Sequence, residues 1–241
     1  MLTRVRTGAA VLVCAGLAAC GAGEVARPAV ERGTGVQDAP PIAAPAPPPA
    51  SKGGPLLVVL GDSLTAGLGL DPDQAYPALL ERRLRSEGSN LRVVNAGQSG
   101  DTSAAALRRA EWSLAGDVRI LIVALGGNDG LRGLPVEQMK RNLDEIVSLA
   151  KRRGIAVLLA GMEAPPNFGA TYTAQFRNVF HEVAREHDVA FMPFLLDGVA
   201  GDPALNQADL IHPNAAGATI VAERVRAALE PLLPALTPAT Q

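Results

Sequence analysis

Ser63 follows the run Leu56-Leu57-Val58-Val59-Leu60, which Gly61 and Asp62 break abruptly. A continuous apolar run of that length reads as a strand buried on both faces, and it delivers the serine onto the loop past its carboxyl end. Open α/β sheets hold their active sites along that edge. A serine hydroxyl there is a candidate nucleophile, and it needs a base, an acid to orient the base, and donors for an oxyanion. Taken alone, Gly61-Asp62-Ser63 reads equally well as a polar turn.

Three further polar clusters follow strand-like runs and offer those parts. After Leu91–Asn95 comes Ala96-Gly97-Gln98-Ser99-Gly100-Asp101-Thr102. Gly100, just before a helical pattern, places an unhindered N–H where anions are favoured. After Val118–Leu125 comes Gly126-Gly127-Asn128-Asp129, two glycines that allow close backbone approach and then an amide that can donate. After the last strand comes Asp209-Leu210-Ile211-His212-Pro213, where Pro213 marks a helix start with His212 as its N-cap. In a doubly wound sheet all of these ends share one edge, so residues distant in sequence converge there.

The competing residues fit less well. Ser99 lies in Gly97-Gln98-Ser99-Gly100-Asp101, one residue short of a Gly-x-Ser-x-Gly elbow. The other two histidines read as structural, His181 on the flank of a helix face and His187 at a helix end, where a cation suits the dipole. Asp197 and Asp202 lack the three-residue offset from His212 that Asp209 has. Asp62, Asp101 and Asp129 read as loop-shaping or capping carboxylates, and Trp112 as a packing residue.

The elements that must position these groups alternate regularly. Strands are expected at Leu56–Leu60, Leu91–Asn95, Val118–Leu125, Ile155–Gly161 and Val189–Pro193. Between them, Tyr76, Leu79, Leu80 and Leu84 share one helix face, with Asp71 as N-cap and Pro72 at the first helical position. Val136, Met139, Leu143, Ile146, Val147 and Ala150 define a second face, and Tyr172, Phe176, Val179, Phe180 and Val183 a third. Repeated βαβ units with right-handed crossovers predict an α/β protein: a three-layer αβα sandwich around a flavodoxin-like, doubly wound sheet of about five parallel strands.

Composition bounds the rest. The chain has 241 residues, 48% of them hydrophobic, enough for one sizeable core plus tails. Residues 1–19 carry Arg4 and Arg6 and then an apolar stretch too short to span a bilayer, which reads as an export signal. Leu17-Ala18-Ala19-Cys20-Gly21 resembles the lipobox of bacterial lipoproteins, which implies lipidation at Cys20; the small residues before it also suit an ordinary signal peptidase. Cys14 leaves with the signal, so no disulfide and no catalytic thiol is expected. Residues 20–54 are rich in Ala and Pro and read as a tether, able to reach on the order of 100 Å at about 3.1 Å per residue. The domain is expected over 55–231, with 232–241 a C-terminal tail. Removing two arginines takes 22 basic against 24 acidic residues to 20 against 24, so nucleic acid is not an expected partner. No metal-ligand cluster and no phosphate loop is present in the sequence, and no cofactor is expected.

Together the blocks Gly61-Asp62-Ser63-Leu64, Gly100, Gly127-Asn128-Asp129 and Asp209-Leu210-Ile211-His212 resemble those of the SGNH or GDSL-type hydrolases. Ser99-Gly100-Asp101-Thr102-Ser103, Leu125 to Gly133 and Ala164-Pro165-Pro166-Asn167-Phe168-Gly169 bring the chain nearest to the bacterial thioesterase I/protease I/lysophospholipase L1 and arylesterase branch. The resemblance implies a serine esterase or thioesterase in which Ser63 attacks, His212 moves the proton and Asp209 holds the imidazole. Ser63, Gly100 and Asn128 would meet the oxyanion. A helix N-terminus at His212 and the carboxylate of Asp209 would act on the imidazole in opposite senses.

The resemblance also implies acyl-ester substrates, including aryl esters, thioesters and lysophospholipids. Gly130, Leu131 and Leu134 would belong to a mobile loop near the acyl chain, with Pro165, Pro166 and Phe168 on the opposite wall. A lipid anchor would make the membrane a partner and place the protein in the bacterial cell envelope, at the outer membrane or in the periplasm. Carbohydrate or peptidoglycan O-acetyl groups are the alternative substrates. A non-catalytic envelope lipoprotein and a flavodoxin-like binding module are readings from other classes.

Overall fold

The computed structural model describes residues 54–233. Cys20, the signal segment, all but the last residue of the tether, and the tail from 234 lie outside the described residues.

Five parallel strands form the sheet: β1 (Leu56–Gly61), β2 (Arg92–Gly97), β3 (Val118–Ala124), β4 (Ala156–Ala160) and β5 (Ala190–Met192), in the order β2-β1-β3-β4-β5. Each falls on its expected run, with ends displaced by a residue or two. The central strands are apolar on both faces because both are covered: Leu57 to Leu60 and Ile120 to Leu125 are essentially inaccessible. The edge strand β2 is only half-buried and carries Asn95 within it.

The helices are α1 (Ser63–Ala66), α2 (Tyr76–Ser86), α3 (Ser103–Ser113), α4 (Gly127–Leu131), α5 (Val136–Arg152), α6 (Ala170–His187) and α7 (Ala215–Ala228). α2 packs on α7, whereas α5 packs on both α3 and α6. The chain steps from β1 outward to β2 and then back past β1 to β3, so right-handed crossovers send α2 and α3 to opposite faces. The result is the expected three-layer αβα sandwich. The six apolar residues expected to share a face of α5 are all buried, as are Phe176, Val179, Phe180 and Val183 of α6.

Two expected helix starts are displaced. α2 begins at Tyr76 with Pro77 in its first turn, where a missing N–H is tolerated. Asp71 instead opens a separate tight turn, its carbonyl accepting from Gln74 N at 2.9 Å. α7 begins at Ala215, capped by Asn214, whose side-chain oxygen accepts from Ala216 N at 3.0 Å and Gly217 N at 3.1 Å. An amide oxygen serves two helix donors at once, so Asn214 and not His212 holds the N-cap. Pro213 pairs with Asn206 in an isolated antiparallel bridge, leaving His212 in a bend two residues before the helix cap.

Candidate active site

Ser63 is the first residue of α1, directly after β1. Asp62 caps that helix by accepting from Leu64 N at 3.0 Å, and Gly67 closes it with a left-handed φ of 78°. This one-turn helix lies against the end of β2, so a Cβ at Gly97 would overlap Ala66 N and sit 2.7 Å from the Thr65 carbonyl carbon. Thr65 anchors it from beneath, with its Oγ1 at 2.8 Å from the Tyr76 hydroxyl in the core.

His212 meets Ser63 across 149 residues of sequence, with Nε2 at 2.9 Å from Oγ. Its Nδ1 lies 2.6 Å from Asp209 Oδ2, while Asp209 Oδ1 accepts from Ile211 N at 2.9 Å and His212 N at 3.0 Å. The backbone N–H and then the ring of His212, with the Ile211 N–H, hold the Asp209 carboxyl down to about 2. The turn requires Leu210 at φ 58°, left-handed backbone that disfavours a branched apolar side chain. Held two residues before its helix cap, His212 lies beyond the first turn, where the dipole has faded. Of the two expected influences, the Asp209 carboxylate is the one in contact with the ring. The two segments are tied by Gln207, which sequence reasoning missed. Its Nε2 donates to Leu68 O at 2.6 Å and Pro213 O at 3.1 Å, and its backbone N–H donates to His212 O at 2.8 Å.

Gly100 is the third residue of a tight turn, with φ 86°, closed by Asp101 N donating to Gln98 O at 3.1 Å. A side chain there would meet open space, so the glycine answers to φ and not to crowding. Arg132 donates to the Gly100 carbonyl at 3.0 Å. Neither the Ser63 nor the Gly100 N–H has an acceptor among the described residues.

Asn128 is the second residue of α4, which starts from Gly126 in the left-handed region at φ 107°. Its amide reaches Asp62 Oδ2 at 3.4 Å, a long bond that leaves the group available to a better acceptor. Asp62 itself is 1% exposed, and burial pushes its carboxyl up to about 6.

The remaining carboxylates brace loops, as expected. Asp129, also buried, accepts from Ser103 N at 2.8 Å and Ser103 Oγ at 2.7 Å, and Asn142 joins Ser103 Oγ at 2.9 Å. Asp101 pairs with Arg109 at 2.7 Å. Asp197 pairs with Arg224, and Asp202 accepts from Ala204 N; neither contacts His212. Ser99 is exposed and has no histidine partner. His181 packs edge-on against Phe191 at 4.7 Å between ring centroids, and His187 Nε2 lies 2.7 Å from Asp144.

The expected substrate loop is different in form. Gly130 and Leu131 complete α4, and the turn that follows is closed by Gly133 N to Gly130 O at 3.1 Å and Leu134 N to Asp129 O at 3.0 Å. It does not face Phe168 across a gap. A Cβ at Gly133 would lie 2.6 Å from the Phe168 ring, and Tyr172, its ring tilted against Phe168 at 5.4 Å between centroids, donates to Leu134 O at 2.9 Å. A glycine with no side chain at 133 lets the two segments close into one wall. Pro165 and Pro166 lead into the short 3-10 turn that carries Phe168.

The large apolar side chains exposed among the described residues are Leu68, Leu131, Phe168, Leu210 and Ile211, at 40–48%. Each follows the carboxyl end of a strand, on the same edge as Ser63.

Comparison with known proteins matches residues 59–220 to the GDSL-like lipase/acylhydrolase family. The esterase TesA of Pseudomonas aeruginosa is 46% identical over 178 residues, covering 73% of this chain and 89% of the relative. The thioesterase 1/protease 1/lysophospholipase L1 of Escherichia coli is 38% identical, covering 73% of this chain and 84% of its own. Among solved structures, the psychrotrophic esterase EstA of Pseudoalteromonas, inhibited by monoethylphosphonate, superposes with a TM-score of 0.70 at 30% identity, over 75% of this chain and all of that one.

Proposed function

The chain belongs to the GDSL-like lipase/acylhydrolase family and hydrolyses acyl esters, and from that premise we propose that it does so through an acyl-serine intermediate on Ser63. The observation that carries this reading is the unbroken chain of hydrogen bonds from Ser63 Oγ through His212 to Asp209. His212 Nε2 takes the hydroxyl proton as Oγ bonds to the acyl carbon, then returns it to the leaving alkoxide, phenoxide or thiolate. Asp209, ionised far below neutral pH, keeps the proton on Nδ1 and stabilises the imidazolium. The N–H groups of Ser63 and Gly100 and the amide of Asn128 receive the oxyanion, Asn128 exchanging its long bond to Asp62 for a charged acceptor. Water, activated by the same imidazole, then releases the acid.

The apolar rim of Leu68, Leu131, Phe168, Leu210 and Ile211 favours substrates with an extended acyl chain over acetyl groups. Cys20 bears a lipid anchor in this reading, and the Pro-rich segment lets the domain work at the envelope membrane, within reach of single-chain lipids. Mass spectrometry of the mature N-terminal peptide tests the anchor; an unmodified Cys20 refutes it.

Hydrolysis of p-nitrophenyl esters from acetate to palmitate, with Ser63→Ala in parallel, tests the chemistry. Turnover that rises beyond acetate and vanishes in a folded Ser63→Ala protein is the expected result. Activity retained by Ser63→Ala refutes the nucleophile, and turnover of acetate alone moves the substrate to O-acetylated carbohydrate.

A further inference from the structure

Arg109 lies on α3, outside every block that resembles the family pattern, yet its guanidinium ends where the site begins. Nε donates to Asp101 Oδ2 at 2.7 Å, Nη1 to Ala96 O at 2.8 Å, and Nη2 to Gly61 O at 2.9 Å. Ser113 Oγ, one turn along the helix, is a fourth and longer partner of Nη1 at 3.4 Å. Gly61 is two residues before Ser63, and Asp101 immediately follows Gly100. One planar group therefore holds the segments that carry two of the three oxyanion donors.

A guanidinium suits this place for a geometric reason. Its N–H bonds diverge in a fixed plane, so three acceptors on three segments are held at set angles. A carbonyl oxygen has two lone pairs, and at the end of β1 Gly61 O takes one donor from Gln98 N and a second from Arg109, which also serves Ala96 O on β2. The Asp101 side chain is 14% exposed and that of Arg109 23%, so the ion pair is largely shielded from water and holds its geometry better than a surface pair. The same loop is braced from the other side by Arg132 on Gly100 O and by Asp129 on Ser103. The start of the turn also touches β1 directly, Gln98 N donating to Gly61 O at 3.0 Å; Arg109 adds a second donor to that carbonyl and joins it to Asp101, beyond Gly100, so that the turn is held to β1 at both of its ends.

We propose that Arg109 is a positioning residue for catalysis: by reading Gly61 O and Asp101 with one guanidinium, it fixes the spacing of the Ser63 and Gly100 oxyanion donors. The inference rests on the proposed roles of Ser63 and Gly100. It separates from a merely structural role by where the loss falls. Donors displaced from the tetrahedral geometry weaken the transition state and leave ground-state binding of the ester intact, so kcat falls while KM holds.

The test uses the full-length protein in Arg109→Lys, Arg109→Ala and Asp101→Asn forms. Each is assayed for kcat and KM on p-nitrophenyl butyrate and for the rate of serine phosphonylation by a p-nitrophenyl alkylphosphonate. Lysine keeps the charge but loses the fork. The expected result is a fall of about 10- to 100-fold in kcat for Arg109→Lys, the scale on which a misplacement of ~1 Å costs ~10²-fold. KM should stay within about twofold, and phosphonylation should slow in parallel. Millimolar guanidinium should restore part of the activity of Arg109→Ala and none to Arg109→Lys, whose side chain fills the site. A folded Arg109→Lys enzyme with kcat unchanged overturns the proposal, even with a lowered Tm, as does a loss confined to KM. Should both arginine variants fail to fold, Asp101→Asn decides: normal kcat overturns the proposal, and a kcat-specific loss upholds it. Activity surviving in Ser63→Ala would instead remove the premise, a separate result.

Discussion

Replacing Asp209 by asparagine should damage the enzyme more than replacing it by alanine, although asparagine is the closer match in shape. Asp209 Oδ1 faces two backbone donors, Ile211 N at 2.9 Å and His212 N at 3.0 Å, and Oδ2 faces His212 Nδ1 at 2.6 Å. An asparagine must turn its carbonyl toward the two N–H groups, which fixes its NH₂ against Nδ1. That ring nitrogen must then accept, so the proton moves to Nε2. Facing Ser63 Oγ at 2.9 Å, a protonated Nε2 is a donor and cannot take the serine proton.

Two losses combine in the asparagine variant. The charge-assisted bond to the ring disappears, at about 1.5–3 kcal/mol, and regaining the productive tautomer sets two donors against each other, at about 1.5–3 kcal/mol more. The total of about 3–6 kcal/mol corresponds to roughly 10²–10⁴ in kcat at ~1.36 kcal/mol per tenfold. Alanine suffers only the first loss, about 10–10²-fold, because water can reach the vacated, half-exposed position and accept from Nδ1. Steady-state kcat on a soluble p-nitrophenyl ester, normalised by titrating Ser63 with a phosphonate, is the assay. An Asp209→Asn enzyme as active as Asp209→Ala, or more so, would refute the tautomer reasoning and leave Asp209 as charge alone.

Asn128→Ala removes one oxyanion donor and should lower kcat by about 10²–10³ with little change in KM; a change in KM alone would place the amide in substrate binding. Asp62→Asn should raise thermal stability near pH 8, and the gain should fade toward pH 4. The Asp62 carboxyl rises from 3.8 to about 6 on burial, so the folded state binds the proton more tightly and stability falls as pH increases between those values. At ~1.36 kcal/mol per pH unit the penalty lifted at high pH is at most about 3 kcal/mol. Melting curves with a gain independent of pH would contradict this. Gly97→Ala pushes a methyl into Ala66 N and the Thr65 backbone, so it should displace α1. Overpacking of this kind costs about 1–3 kcal/mol in stability, and a variant that melts normally and turns over normally would show that the Ser63 helix does not rest on β2.

The parts of this protein legible in its sequence are those that depend on side-chain identity. Leu57 to Leu60 and Ile120 to Leu125 read as strands because a sheet covered on both faces admits only apolar residues there. Ser63, Asp209 and His212 stood out because acyl transfer needs a hydroxyl, a carboxylate and an imidazole, the chain has only three histidines, and His212 alone lies past a strand end with an aspartate three residues before it. Helix starts were less legible. Asp71 with Pro72 has the composition of an N-terminus and makes a tight turn instead, while Asn214, a strong cap, stood directly after the proline that drew attention. The segment 130–134 was expected to be a mobile loop only because the resemblance implied one, whereas Gly130 and Gly133 clear space for aromatic rings, Phe176 and Phe168 respectively.

Asp101 and Asp129 read from the sequence as loop braces, whereas Arg109 and Gln207 did not, for one physical reason. Arg109 serves the carbonyls of Ala96 and Gly61, 13 and 48 residues away, and Gln207 serves that of Leu68, 139 residues away. A backbone carbonyl is present at every position, so no residue type at the far end marks the partnership. Groups that react must be particular side chains and leave a pattern, while groups that hold reacting groups in place can use backbone acceptors and leave none. Where the geometry of an oxyanion site depends on strand-end carbonyls, as at Gly61, the residue that sets it becomes visible only when the chain is folded.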